Sequence, residues 1–175
     1  MKLITKIWMP VLASVFSLLA ISTATLRAQD DESRALTRLI LTVAANEVNQ
    51  QTPMAIGMGF DLVETTITDS AFVWDIQGAD DVVSAVKTLT ALADTDLSAD
   101  IINGMIKSGG ESALMIYMCV KAELDIHLIF KGKDSGESIT YVCTKEDLKA
   151  RLNEEYTDEE LETLLLKVIT SSLGQ

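Results

Sequence analysis

The sequence is poor in the residues that most often build catalytic and metal sites. It has one His and two Cys in 175 residues, and they do not follow the ligand spacing of a zinc site. Basic residues are also scarce, because 14 Lys and Arg face 26 Asp and Glu, for a net charge of −12. With no basic cluster, the chain lacks the electrostatic footprint that drives binding to nucleic acid or to an anionic membrane surface.

The first 28 residues have the pattern of a signal peptide. A basic start precedes an apolar run over residues 7–21, and small residues follow up to Ala28. Cleavage after Ala24 or Ala28 is predicted, which indicates a periplasmic or secreted protein. The alternative is an uncleaved membrane anchor. Pro10 and the small residues after the apolar run argue against it.

The remaining chain, residues 29–175, is predicted to be one globular domain. Its length suits a single core, and no Pro, Ser or Gly linker, repeat or low-complexity tract divides it. Removal of residues 1–28 takes away three bases and no acid, so 11 bases face 26 acids and the net charge becomes −15. Such a charge favours solubility and points to cationic partners if charge selects partners at all.

Two β-hairpins are predicted from alternating patterns. In the first, Ile67 faces Phe72, Thr65 faces Trp74 and Val63 faces Ile76 across a turn at residues 68–70. In the second, a strand with apolar residues at every other position from Leu124 to Phe130 returns after a loop at residues 132–135. That loop would place Leu128 opposite Ile139 and Leu124 opposite Cys143.

Helical patterns surround and separate these hairpins. One helix is predicted from about Asp30 to Gln51, ahead of Pro53, and a second starts at Asp80 or Asp81 with the stripe Val82, Val86, Leu89 and Ala93. A third is predicted to start at Ser98. Residues 111–120 are a buried helix or a buried strand by their pattern, and a helix is preferred because a clear strand begins directly afterwards. The last two helices begin at Thr144 and at a Thr157/Glu160 capping box.

This order of elements predicts an α+β domain. An antiparallel sheet is built from the two hairpins, helices pack on one face, and the N- and C-terminal helices flank it. At least one sheet edge stays uncovered, which would permit strand pairing with a partner or a second copy.

Three segments resemble small exported bacterial proteins of uncharacterised function. They are residues 49–54, the hairpin that contains Trp74, and the hairpin from Ile126 to Cys143, within a match over about residues 36–148. The resemblance implies export and an α+β fold, with no activity attached. It also implies a disulfide from a Cys near the helix before the last hairpin to one at its end. Cys143 fits the second place, whereas residues 103–106 contain no Cys for the first.

Cys119 and Cys143 leave three interpretations open. Export would allow a disulfide, which would close a loop of about 24 residues and contribute roughly 3 kcal/mol in the chain-entropy model. The second interpretation is two buried unpaired thiols, since free Cys behaves as a small apolar residue. The third is a reactive thiol.

A thiol enzyme would need His127, the one histidine, as the base for Cys143 or Cys119. The strand alternation directs His127 away from Cys143, and no Asn or Asp marks an orienting third group. An exposed strand histidine is the competing interpretation.

Four oxygen-bearing residues alternate like the first ligands of a calcium loop: Asp94, Asp96, Ser98 and Asp100. The pattern then departs from that motif, because Ala99 replaces the turn glycine and Met105 the bidentate glutamate. Ser98 is better explained as a helix N-cap, so calcium binding here is the weaker interpretation and no metal site is predicted.

The favoured function is a non-catalytic exported domain that binds a protein, a peptide or a small ligand. Its surface would be the sheet or an apolar patch of Met54, Met58 and Phe60. No cofactor, nucleic-acid partner or membrane partner is expected after signal removal. The alternative is a hydrolase or thiol enzyme that uses Cys143 or Cys119 with His127.

Overall fold

A computed structural model describes residues 30–93 and 97–173. The predicted signal peptide, residues 1–28, and the calcium candidates Asp94 and Asp96 lie outside these ranges. The described chain forms six helices and five strands. The elements in order are α1 (Asp30–Asn49), β1 (Met54–Gly57), β2 (Phe60–Ile67), β3 (Ala71–Gly78), α2 (Asp80–Ala93), α3 (Leu97–Ser108), α4 (Gly110–Lys121), β4 (Asp125–Gly132), β5 (Ser138–Cys143), α5 (Lys145–Glu155) and α6 (Asp158–Leu173).

The strands form one sheet in the order β1-β2-β3-β4-β5. Both expected strand pairs are antiparallel, and the α+β class is confirmed. The expected all-antiparallel sheet of two hairpins is wrong in two respects. A short strand β1 adds to β2, and the central pair β3–β4 is parallel. The pair is parallel because α2, α3 and α4 carry the chain back to the end of the sheet where β3 began.

The predicted register of the first hairpin is right near its turn and wrong beyond it. Ile67 faces Phe72 and Thr65 faces Trp74, but Leu62 rather than Val63 faces Ile76. A β-bulge between Leu62 and Glu64 inserts the extra residue. Such a bulge leaves one residue unpaired and keeps the apolar side chains on either side of it on the same face.

The register of the second hairpin differs from the prediction by two residues. Leu128 faces Tyr141 rather than Ile139, and Ile126 rather than Leu124 faces Cys143. Strand β4 continues to Gly132, whose N–H donates to the carbonyl of Glu137 at 2.8 Å. The loop therefore lies later in the chain than expected. A shift of two residues preserves the faces, so the predicted inward residues still point inward.

The core lies between the helices and one face of the sheet. Helix α4 is buried along most of its length, which agrees with the continuous apolar run at residues 111–120. Inward side chains from β2, β3 and β4, including Leu62, Trp74 and Leu128, complete the same apolar cluster. The opposite face carries mostly half-buried or exposed side chains, so the helices pack on one side as predicted.

The predicted starts of the last two helices agree with the structure. The Thr144 hydroxyl accepts from the Asp147 N–H, and the Thr157/Glu160 capping box forms with both reciprocal hydrogen bonds. The predicted apolar stripe of α2 is only partly right. Val83 is buried, whereas Leu89, predicted to face the core, is 64% exposed.

Candidate functional site

Both cysteines are buried in the described structure, and no disulfide joins them. Cys119 lies on α4 with none of its surface exposed, and its Sγ is 4.0 Å from Met115 Sδ. Burial raises the pKa of the Cys119 thiol far above its usual range. Because the thiolate is the nucleophile, Cys119 is held in its unreactive form.

Cys143 and His127 lie on opposite faces of the sheet. Cys143 ends β5, pairs with Ile126 and is 3% exposed on the helix-covered side. His127 follows Ile126 on β4, so its side chain points to the open side, between Val73 and Val142 on the neighbouring strands. The sheet therefore separates the imidazole from the Cys143 thiol. The arrangement that a thiol enzyme needs is not assembled from these two residues.

The calcium candidates include two residues whose positions are described. Ser98 and Asp100 are in the first turn of α3, which begins at Leu97, so Ser98 is inside the helix rather than its N-cap. Ser98 is 1% exposed, whereas Asp100 is exposed. Across residues 30–93 and 97–173, no group of three or more His, Cys, Asp or Glu side chains is placed to hold a metal ion.

The apolar patch expected from Met54, Met58 and Phe60 does not form as one surface. Phe60 is buried, with its ring centroid 5.1 Å from that of Phe130 in an edge-to-face contact. Met54 is half-buried, and only Met58 is exposed, at the tip of the β1–β2 turn. Met58 sits at φ 56° between Gly57 and Gly59, both with positive φ. This turn needs its glycines because they adopt the left-handed region without strain.

The open face of the sheet carries paired charges around an apolar centre. Lys131 lies 2.8 Å from Asp75, and Lys133 lies 2.8 Å from Asp61. The centre contains Ile129, along with Val73 and His127. Lys131 and Asp75 lie on adjacent strands, whereas Lys133 follows β4 and reaches Asp61 on β2. Because each lysine has a carboxylate partner, this face does not present a field of one sign.

The two edges of the sheet are finished differently, and sequence reasoning missed this contrast. Strand β1 has four residues and a bulge between Ala55 and Gly57. Beyond it, the Asn49 side chain pairs with the β2 backbone: Nδ2 donates to the Thr65 carbonyl at 2.8 Å, and the Thr65 N–H donates to Oδ1 at 2.7 Å. The opposite edge is β5, a strand of six uncharged residues. In the sequence, the sign of the closed β2 edge is an asparagine, Asn49, at the end of the first helix.

The β4–β5 turn is held by Asp80, one of the two residues predicted to start α2. The Asp80 carboxylate accepts from the backbone N–H groups of Asp134 and Ser135, at 3.3 and 3.0 Å. The helix itself starts from the Ala79 carbonyl, which accepts from the N–H groups of residues 82 and 83. A Cβ on Gly132 would lie 2.2 Å from Asp80 Oδ1, so the glycine makes room for this contact.

Known proteins were compared with this chain by sequence and by structure. Neither a protein-family model nor a curated protein sequence matches the chain. A solved structure of a candidate secreted protein from Pseudomonas aeruginosa aligns with a TM-score of 0.48 and 11% identity, covering 68% of this chain and 95% of that one. Within residues 30–93 and 97–173, none of the helices has the length and apolar character needed to cross a bilayer.

Proposed function

We propose that this protein is an exported, non-catalytic domain that acts by binding another molecule in the periplasm or outside the cell. Residues 1–28 would be removed on export, and residues 29–175 would act as one domain. The export half of the proposal rests on the basic start, the apolar run and the small residues before Thr25 and Gln29.

One observation supports the non-catalytic half of the proposal. Cys143 faces the helix layer, His127 faces the open side of the same sheet, and Cys119 has no exposed surface. A nucleophilic thiol needs a base within hydrogen-bond reach and access to its substrate. Neither thiol combines these two requirements, which argues against the alternative of a thiol enzyme with His127 as the base.

Binding is favoured because the sheet offers accessible main-chain and side-chain surface. On the open face, Ile129 and His127 are half-buried and lie among ion-paired neighbours, and β5 is an outer edge of the sheet in the described part of the chain. Sheet edges and faces are common places for peptides and proteins to bind. The partner would be a protein, a peptide or a small ligand.

The experiment that tests the non-catalytic half is alkylation of the native protein with iodoacetamide near neutral pH. We expect neither thiol to react within minutes while the protein is folded, and both to react after unfolding in urea. The control is a Ser84→Cys variant, because residue 84 is exposed on α2 and its thiol should be labelled in the folded protein. Rapid native labelling of Cys119 or Cys143 would contradict the proposal and restore the enzyme alternative.

A further inference from the structure

In the described part of the chain, strand β5 is an outer edge of the sheet with no further strand beside it. Its sequence, Ser-Ile-Thr-Tyr-Val-Cys, is rich in β-branched residues and contains no charge, Pro or Gly. Natural proteins commonly blunt such edges with lysine, proline, bulges or very short strands. The other edge of this sheet uses two of these devices and the Asn49 side chain as well. The contrast indicates that β5 is kept open for pairing.

The hydrogen-bond pattern identifies which backbone groups are available. Gly132 donates to Glu137, so in the alternating antiparallel pattern Ile139 and Tyr141 bond to β4. The intervening residues, Ser138, Thr140 and Val142, then turn their N–H and C=O groups away from the sheet. Their side chains lie on the open face and are exposed.

We infer that β5 pairs antiparallel with β5 of a second copy of this chain, joining the two sheets across a two-fold axis at Thr140. In this register Thr140 faces the second copy's Thr140, and Ser138 faces the second copy's Val142. On the helix side, Ile139 faces the second copy's Tyr141. Thr–Thr pairs and pairs of an aromatic with a β-branched residue are among the favourable cross-strand combinations.

Local charge makes a second copy an acceptable partner at this edge. The mature chain carries a net charge of −15, which would repel a second copy over most of the surface. Strand β5 itself, however, carries no charged side chain. Glu137, just before its start, is paired with Lys87. Like-charge repulsion between two copies is therefore small along the edge itself.

This inference deepens the proposed binding function and rests on it only for the idea that the sheet is a binding surface. A cationic protein or peptide would be drawn to the acidic remainder of the molecule, whereas the neutral β5 edge offers it no charge to recognise. The self-complementary sequence favours the second copy.

The test is the native mass of the mature chain over a range of concentrations up to about 100 μM, a concentration at which a micromolar dimer would be well populated. We expect twice the chain mass for the wild type. Val142→Lys places a charge on the exposed side of the edge, and Thr140→Pro removes an outward N–H without touching the β4 hydrogen bonds. Both variants should halve the native mass while their far-ultraviolet circular dichroism stays that of the wild type.

The matched control is Thr66→Lys, which introduces the same side chain on the same face of the sheet, on β2. It should leave the native mass at twice the chain mass. A wild type that is monomeric throughout the range would overturn the inference. So would a dimer that survives Val142→Lys, or one that dissociates only with Thr66→Lys. These outcomes leave the thiol-labelling result untouched, so failure of the dimer and failure of the non-catalytic proposal are distinguishable.

Discussion

The carboxamide of Asn49 forms two hydrogen bonds with the backbone of Thr65, as a neighbouring strand would. Its Nδ2 donates to the Thr65 carbonyl and its Oδ1 accepts from the Thr65 N–H. Asn49, at the end of helix α1, therefore pairs with the part of the β2 edge that β1 is too short to cover. A side chain that satisfies both groups removes a site where another strand could add.

Replacing Asn49 with Ala should destabilise the protein by about 2 kcal/mol. Two hydrogen bonds are lost, and the N–H and C=O of the buried Thr65 are left without a protein partner. Urea unfolding of the two proteins measures the difference. The control is Asn46→Ala, because residue 46 is exposed on the same helix. Its effect should stay within about 0.5 kcal/mol, and an equal loss in both variants would contradict the edge-closing role of Asn49.

The contact between Asp80 and the β4–β5 turn predicts a coupled pair of substitutions. Gly132→Ala should cost about 1–3 kcal/mol, because its Cβ would lie 2.2 Å from Asp80 Oδ1 and 2.6 Å from Ser135 Oγ. Asp80→Ala removes one of the two obstructing groups, along with the two hydrogen bonds to the turn. The double variant should therefore be more stable than the sum of the two single losses implies.

A double-mutant cycle in urea measures this coupling. The matched variant is Asp81→Ala. The Asp81 carboxylate accepts a hydrogen bond from the neighbouring Val82 N–H rather than from the β4–β5 turn. It should show no coupling with Gly132→Ala. Strict additivity of Asp80→Ala and Gly132→Ala would mean that the two residues do not meet in the folded protein.

Some elements of the fold were predictable from the sequence, and others were not. Alternation from Leu124 to Phe130 and the Thr157/Glu160 box predicted their elements because the relevant forces act between residues close in the chain. The bulge after Leu62 depends on how β2 packs against its partner strand and the core, and the parallel β3–β4 pair depends on where three helices return the chain. No local pattern records either.

The candidate site divides in the same way. The separation of His127 from Cys143 was predictable, because a strand alternates its side chains between two faces whatever lies beyond it. The burial of Phe60 was not, because it depends on a contact with Phe130, 70 residues later in the sequence. The role of Asp80 was equally hidden, since its two donors lie more than 50 residues away.

The buried Cys119 thiol predicts a stability loss at alkaline pH. Burial raises its pKa in the folded state, while the unfolded thiol ionises at about 8.5. The stabilisation is thus complete below about pH 8.5 and declines as pH rises, because the unfolded state alone releases the proton. The slope approaches about 1.4 kcal/mol per pH unit above that value.

Comparison with Cys119→Ala isolates this effect, since all other ionisable groups are common to both proteins. The variant should be less stable than the wild type at pH 7.5 through lost packing, and the difference should narrow between pH 8.5 and 10. Urea unfolding at several pH values gives the two curves. Parallel curves would show that Cys119 does not stay protonated in the folded protein.

Glu111 should make the protein less stable at neutral pH than near pH 4. Burial raises the pKa of its carboxyl, and its Oε2 has no hydrogen-bond partner in the described structure. Because the folded pKa lies above the unfolded value of about 4.3, the favourable contribution exists below that value and is lost as pH rises through the folded pKa. Glu111→Gln should therefore raise the urea midpoint relative to wild type at pH 7 more than at pH 4.

The matched control is Glu146→Gln, in the first turn of α5, where the glutamate is exposed. Its urea midpoint relative to wild type should change little between the two pH values. An equal pH response in the two variants would remove burial of Glu111 as the cause.

The central claim, an exported domain without catalytic thiol chemistry, is tested most directly by the intact mass of the protein isolated from its own exporting cell. We predict a chain that begins at Thr25 or Gln29, with both cysteines present as unmodified thiols that alkylate only after unfolding. A mass that retains residues 1–28 would contradict export with cleavage. A covalent adduct on Cys119 or Cys143 in the native protein would contradict the non-catalytic assignment.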